Sequence, residues 1–183
     1  MAAILNSSVY QRLSRNPEIV EVDSPDSDEI GDKPDVGMDS YAITTKGILC
    51  TSGVHSCFAV CCQGRKITSG QTLLAMAHAS LQPLCKVYHI LSRDLLRKGC
   101  DPATLKTYVV GGMVLCEGEP SSCPEEEQDI LDRADECHLV GVRFNVVEGA
   151  DESLSVVFTP DRVRFGREDL FQSTEEIGKP LES

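Results

Sequence analysis

The sequence predicts an α+β fold built of layered, mostly antiparallel β-sheets flanked by helices. Two short apolar segments, 57–62 and 71–79, flank a turn-like stretch and are typical of a β-hairpin. A segment that opens at Pro83 has apolar residues at helical spacing. Short strand-like segments follow a second predicted helix, so the element order is β-β-β-α-β-α-β-β-β.

The composition limits the classes of function. The 183 residues, 41% of them hydrophobic, are enough for one packed core. A net charge of −12, few aromatic residues and no Trp argue against binding to nucleic acid or to an anionic membrane surface. No apolar run approaches transmembrane length, so we expect no membrane insertion.

The acidic residues concentrate at the two ends of the chain. Residues 18–39 contain nine acids together with several Pro and Gly, a composition typical of a flexible arm. We therefore predict a flexible acidic N-terminal extension over 1–40, whose first 16 residues form a short helix. The folded domain is predicted over 41–167, and residues 168–183 are predicted to form an acidic C-terminal tail.

Each element has a local signal. A strand over 41–50, broken near Gly47, precedes the hairpin. The first long helix ends in Arg97-Lys98 before Gly99, as helix C-termini prefer. A second helix begins at Pro124, with three glutamates in its first turn, and is predicted to reach Cys137. The remaining strands, rich in apolar or β-branched residues, are predicted at 106–115, 138–147, 153–159 and 162–166.

The nine cysteines are an odd number, and no secretory signal is recognisable at the N-terminus, so we expect free thiols in a reducing compartment. Cys116, Cys123, Cys137 and His138 are candidate zinc ligands by residue type. Their spacing does not match paired metal knuckles, and adjacent residues on a strand point to opposite faces, so structural thiols are the preferred interpretation. We expect no metal and no cofactor.

Cys57 and His78 are the candidate catalytic pair. Cys57 ends a small glycine-containing loop and leads into one apolar strand, while His78 lies in the next. If the strands pair, a thiol and an imidazole come together, the minimum for nucleophilic acyl chemistry. An ordinary cysteine, with a pKa of about 8.5, needs such a base to become a thiolate. The alternative interpretation is that Cys57 fills the core and His78 is structural.

The loop before Cys57 offers the other requirements of acyl chemistry. Gly53, with His55 and Ser56, allows backbone N–H groups to converge on a developing oxyanion. Thr51 is a candidate for holding the imidazole through its hydroxyl group.

Residues 51–60, Thr-Ser-Gly-Val-His-Ser-Cys-Phe-Ala-Val, resemble the T-x-G-x-G-S-C-V-A-V signature of the CheD family of chemoreceptor glutamine deamidases. Ala77-His78 is similar to the family's catalytic Ala-His pair. Similar segments follow in the family's order at 98–106, 110–113, 155–158 and 162–163. His55 stands where the family has glycine, and the 21-residue spacing from Cys57 to His78 is longer than is usual in the family.

The resemblance implies an α+β fold shared with cytotoxic necrotizing factor-type toxins. It also implies hydrolysis of a protein glutamine side chain to glutamate with release of ammonia. By motif position, Cys57 would be the nucleophile, His78 the base, and Thr51 the residue that orients His78. The expected partner is a protein that presents a glutamine, either a chemoreceptor or a host protein.

Two other functions stay open. An amine instead of water could resolve the thioester, which would make the protein a transglutaminase, or the fold could serve as a non-catalytic binding module. The expected location is the cytoplasm, or a host cell that the protein enters from bacteria without a cleaved secretory signal.

Overall fold

The computed structural model describes residues 3–23, 32–80, 82–115, 124–147, 153–167 and 170–181. Its helices are α1 (Ser8–Leu13), α2 (Leu84–Arg97) and α3 (Pro124–Asp132). The strands are β1 (Ile19–Glu21), β2 (Asp32–Val36), β3 (Ser40–Thr44), β4 (Leu49–Val54), β5 (Phe58–Arg65), β6 (Thr72–Ala79), β7 (Lys106–Leu115), β8 (Leu139–Val147), β9 (Leu154–Phe158), β10 (Val163–Gly166), β11 (Gln172–Ile177) and β12 (Lys179–Pro180).

The described strands form two six-stranded sheets. The first sheet has the order β1-β10-β9-β4-β2-β11 and the second the order β12-β3-β6-β5-β7-β8. Six of the pairings are antiparallel and four are parallel. The predicted layered α+β class is therefore confirmed, with more parallel pairing than the sequence indicated.

The second sheet is the middle layer of the fold, because both of its faces are covered by packed cores. Successive residues on its strands point to opposite faces and so enter different cores. Ala59 and Cys61 of β5 pack in a core shared with the first sheet. Val60 and Cys62, their neighbours, pack in a second core that includes residues of all three helices. The sequence prediction that Cys61 and Cys62 face opposite sides is confirmed.

The predicted hairpin is present and positions the histidine. β5 and β6 are antiparallel, with Phe58 opposite Ala79 and Ala59 opposite His78. Because Met76, two residues earlier on β6, packs between the sheets, His78 points into the same layer. The sequence therefore located both strands and their pairing correctly.

The predicted strand over 41–50 is two strands in different sheets. β3 pairs with β6 in the second sheet, whereas β4 pairs with β9 in the first. Gly47 has a φ of 87°, a left-handed conformation that glycine adopts without steric cost, and it lies in the connection. β4 extends to Val54, so Thr51 belongs to a strand and not to the predicted loop. Helix α3 ends at Asp132, short of the predicted Cys137.

The structure also differs from the predicted flexible ends. β2, within the predicted N-terminal extension, lies between β4 and β11, and Val36 is completely buried. In the predicted tail, β11 pairs with β2 and β12 pairs with β3. Local composition does not reveal that Asp39 of the predicted N-terminal extension accepts hydrogen bonds from Ser80. Residues 24–31 of the predicted arm lie outside the described residues.

No helix among the described residues is long and apolar enough to span a lipid bilayer.

Candidate active site

Thr51 and His78 meet between the two sheets. Thr51 lies on β4 of the first sheet, and His78, only 3% exposed, lies on β6 of the second. Thr51 Oγ1 is 2.9 Å from His78 Nδ1. The contact that was expected between these two side chains is therefore present, and it joins the two sheets.

The hydrogen bonds of Thr51 assign the tautomer of His78. Thr51 Oγ1 donates its hydrogen to the carbonyl oxygen of Val36, at 2.8 Å. A hydroxyl group has one hydrogen, so toward Nδ1 it must accept, and Nδ1 must carry a proton. In the neutral ring the lone pair then lies on Nε2. The tautomer is thus set by a backbone carbonyl of β2, acting through Thr51.

Burial favours the neutral form of His78. Desolvation lowers the pKa of the imidazole below its usual value, and the nearby carboxylates of Asp35, Asp39 and Glu176 only partly oppose it. The Nε2 atom is buried, and none of the described residues makes a hydrogen bond to it. A buried acceptor left without a hydrogen bond is uncommon in folded proteins. Here the lone pair is available to take a proton.

Cys57 lies on the same face as His78. It directly precedes β5, and its carbonyl oxygen accepts a hydrogen bond from Gly112 N at 2.8 Å, which continues the pairing of β5 with β7. Since Ala59 is opposite His78, Cys57 occupies the diagonal position on that face, where neighbouring residues about 7–8 Å apart can still interact through their side chains. Cys57 has a reduced thiol and is 7% exposed.

The connection from Thr51 to Cys57 fixes the two residues relative to each other. A β-bulge follows Thr51 in the pairing with β9, and Gly53 within it has a φ of 67°. Gly53 is exposed, while His55 and Ser56 are half-buried in the bend before Cys57. The predicted oxyanion role of this loop stays a prediction. The short connection nevertheless places Thr51 of β4 and the Cys57 thiol at the same end of the two packed sheets.

Two glycines of β7 make room for the backbone at Cys57. Gly111 and Gly112 have φ values of 127° and 72°, which residues with a side chain rarely adopt. A Cβ at Gly111 would lie 2.3 Å from the Cys57 carbonyl oxygen. Gly111 and Gly112 therefore permit the close approach of β7 to the backbone at Cys57.

We expect Gly111→Ala to destabilise the protein by about 3–5 kcal/mol, because backbone strain adds to a steric overlap. Gly70→Ala is the matched control: Gly70 has a φ of 68°, but its added Cβ would meet no atom within 4 Å. That control should lose about 1–2 kcal/mol. Urea unfolding of both variants measures the difference, and equal losses would contradict the packing role of Gly111.

Sequence reasoning missed two contributors to the site. Val36 acts through its backbone carbonyl, so no side-chain pattern could reveal it. Asp35 was counted in the acidic run, yet its carboxylate accepts hydrogen bonds from Ser52 N, at 3.1 Å, and from Ser52 Oγ. The only available signal was an acid beside a β-branched residue.

Among the described residues, no group of three or more Cys, His, Asp or Glu side chains could hold a metal ion. Cys116 and Cys123 lie outside the described residues. Cys137 is buried, and the ring of His138 contacts Tyr88, with 6.0 Å between centroids.

No protein-family model matches this sequence, and the search of curated proteins found no match. The geometry around His78 and the motif resemblance are therefore what bear on the function of this protein.

Proposed function

We propose that the protein is a cysteine-dependent hydrolase that converts the side-chain amide of a protein glutamine to glutamate. One observation carries the proposal: Thr51 and the Val36 carbonyl assign a proton to His78 Nδ1, which leaves a buried lone pair on Nε2 on the face that Cys57 shares. The resemblance to the CheD family supports glutamine as the substrate group. No cofactor is required.

In the proposed reaction, Nε2 of neutral His78 accepts the Cys57 thiol proton as the sulfur attacks the carboxamide carbon. Backbone N–H groups near 53–57 stabilise the oxyanion. The tetrahedral intermediate collapses as the imidazolium protonates the departing nitrogen, which releases ammonia and leaves a thioester. His78 then takes a proton from water, which attacks the thioester. Breakdown of that adduct frees glutamate and restores the thiol, so one water is consumed for each ammonia released.

The substrate is proposed to be a protein, because the reaction adds one negative charge that can create or break contacts of the modified surface. A chemoreceptor or a host protein would fit this chemistry. The corresponding location is the cytoplasm of the producing cell, or a host cell to which the protein is delivered.

The test uses the Cys57→Ser variant, which retains the shape of the site but has a far weaker nucleophile. Chemoreceptor cytoplasmic domains and host-cell lysate are treated with wild-type or variant protein in water labelled with heavy oxygen. Only the wild type should convert specific glutamines to glutamate that contains the label. Equal modification by Cys57→Ser would refute the nucleophile.

The same mass spectra separate the competing functions. Incorporation of an added primary amine at the modified glutamine would indicate transglutamination, since the amine would then resolve the thioester. Binding of one protein by both forms, with no modified glutamine, would indicate a non-catalytic binding module.

A further inference from the structure

We propose that Asp35 is a positioning residue for the Cys57–His78 pair, and that it acts by fixing β2 against β4 through Ser52. This inference rests on the proposed function, since it concerns the same thiol and imidazole. It assigns to the acidic N-terminal segment a part in the chemistry.

The contact between β2 and β4 depends strongly on side chains. In the described residues, the backbone register of this parallel pair is recorded only at Asp35 and Cys50. The Asp35 carboxylate adds two bonds, from the N–H and the hydroxyl of Ser52. Asp35 is 8% exposed, so these bonds are largely shielded from water. Together with the bond from Thr51 Oγ1 to the Val36 carbonyl, they join β2 to β4 through side chains.

The bonds between Asp35 and Ser52 form a clamp that joins β2 to β4. The residues next to this clamp are the ones that orient His78. Val36 follows Asp35 on β2, and Thr51 precedes Ser52 on β4. Holding Asp35 against Ser52 therefore holds the Val36 carbonyl within reach of the Thr51 hydroxyl, at 2.8 Å. The clamp acts on the imidazole without touching it.

Loss of this spacing would change the tautomer. If the Val36 carbonyl moves away, the Thr51 hydroxyl can rotate and donate to His78 Nδ1 instead of accepting from it. The proton of the neutral ring would then lie on Nε2, which could no longer accept the thiol proton. Asp35 thus favours the one tautomer in which His78 can act as a base toward Cys57.

Asp35 also contributes its charge. The acidic groups that act on His78 are Asp35 from β2, Asp39 from the turn before β3, and Glu176 from β11. Thr51 of β4 contacts the ring as a neutral group. Each carboxylate raises the pKa of His78 against the effect of burial, so removing one should lower that pKa further.

Two substitutions separate the clamp from the charge. Asp35→Ala removes both. Asp35→Asn keeps an oxygen that can accept from Ser52 but removes the charge. Glu18→Gln is the matched control, because it makes the same kind of change at an acid far from the site. The Glu18 carboxylate accepts hydrogen bonds from Tyr108 Oη and Lys106 Nζ. Lys106 pairs with Gln63, at the end of β5 remote from Cys57.

Two readouts are measured across pH: ammonia release from the identified substrate, and alkylation of Cys57 by iodoacetamide, located by peptide mass spectrometry. Asp35→Ala should lower both rates by about 10–100-fold, the loss seen when a partner that orients a metal-bound histidine is removed. Asp35→Asn should lose less and move the acid limb of both profiles to lower pH. Glu18→Gln should match the wild type.

The outcomes distinguish this inference from the proposed function. Wild-type alkylation profiles in both Asp35 variants would overturn the positioning role, even if ammonia release establishes the enzyme. If the wild type releases no ammonia from any protein, the alkylation profiles still decide whether Asp35 positions the pair. Equal losses in Asp35→Ala and Asp35→Asn would show that the charge of Asp35, and not its bonds to Ser52, affects the pair, and would overturn the inference. Circular dichroism of each variant confirms that its fold is retained.

Discussion

His78→Asn should lower kcat for glutamine hydrolysis by about 10²–10⁴-fold, the usual contribution of a general base. The substitution is chosen because the amide nitrogen of Asn can occupy the place of Nδ1 and donate to Thr51 Oγ1, while nothing replaces Nε2. The contact between the two sheets would then be kept and only the proton acceptor lost. Ammonia release under saturating substrate measures the effect.

His89→Asn is the control for His78→Asn, since it makes the same chemical change at an exposed position of α2. It should retain wild-type kcat. If the two variants lose activity equally, or if His78→Asn is as active as the wild type, His78 is not the base and the assigned tautomer has no catalytic meaning.

The pH dependence of the wild type gives a second measure of the same role. His78 acts as a base only when neutral, and burial lowers its pKa below the ordinary value of 6.5. The wild type should therefore keep its kcat/KM as the pH falls through 6.5 and lose it only below the lowered pKa. In His78→Asn this acid limb should disappear. An acid limb above 6.5 would mean that the imidazole is not desolvated as the structure has it.

The parts of the site predicted correctly from sequence were those carried by contiguous patterns. The apolar runs around Cys57 and His78 specify two strands, and a short turn-rich connection makes their antiparallel pairing the simplest arrangement. That pairing alone places both residues on one face. The contact of Thr51 with His78 was expected from the resemblance, and it is present at 2.9 Å. The catalytic roles of the three residues remain predictions.

The parts that sequence could not supply depend on partners distant along the chain. The sequence predicts β3 and β4 as one strand because the segment contains several β-branched residues. In the structure, Ala42 pairs with Met76 in the second sheet, while Cys50 pairs with Val157 in the first. Which sheet a strand joins is decided by such partners and leaves no local pattern. The same holds for Asp35, whose acidic neighbours are typical of a solvated arm although Ser52, distant along the chain, bonds to it.

A fragment of residues 41–167, the domain that composition alone predicts, should fail to fold. It lacks α1, β1, β2, β11 and β12, and with them eight buried hydrophobic residues: Leu5, Tyr10, Leu13, Ile19, Val36, Leu170, Phe171 and Leu181. Burying this set contributes on the order of 10–20 kcal/mol. Since a domain is stable by only about 5–15 kcal/mol, the fragment should show neither a dispersed amide spectrum nor a cooperative unfolding transition.

A fragment of residues 3–181 is the control for residues 41–167, because it keeps every described strand, and it should unfold at the same urea concentration as the full chain. Cooperative unfolding of residues 41–167 at that concentration would show that the ends are dispensable for the fold. Even then, Thr51 would lack the Val36 carbonyl, and His78 would lose the bond that assigns its tautomer. Cys57 in such a fragment should therefore react with iodoacetamide more slowly than in residues 3–181. The acidic N-terminal segment is thus expected to be needed twice, once to complete the first sheet and once to orient the base.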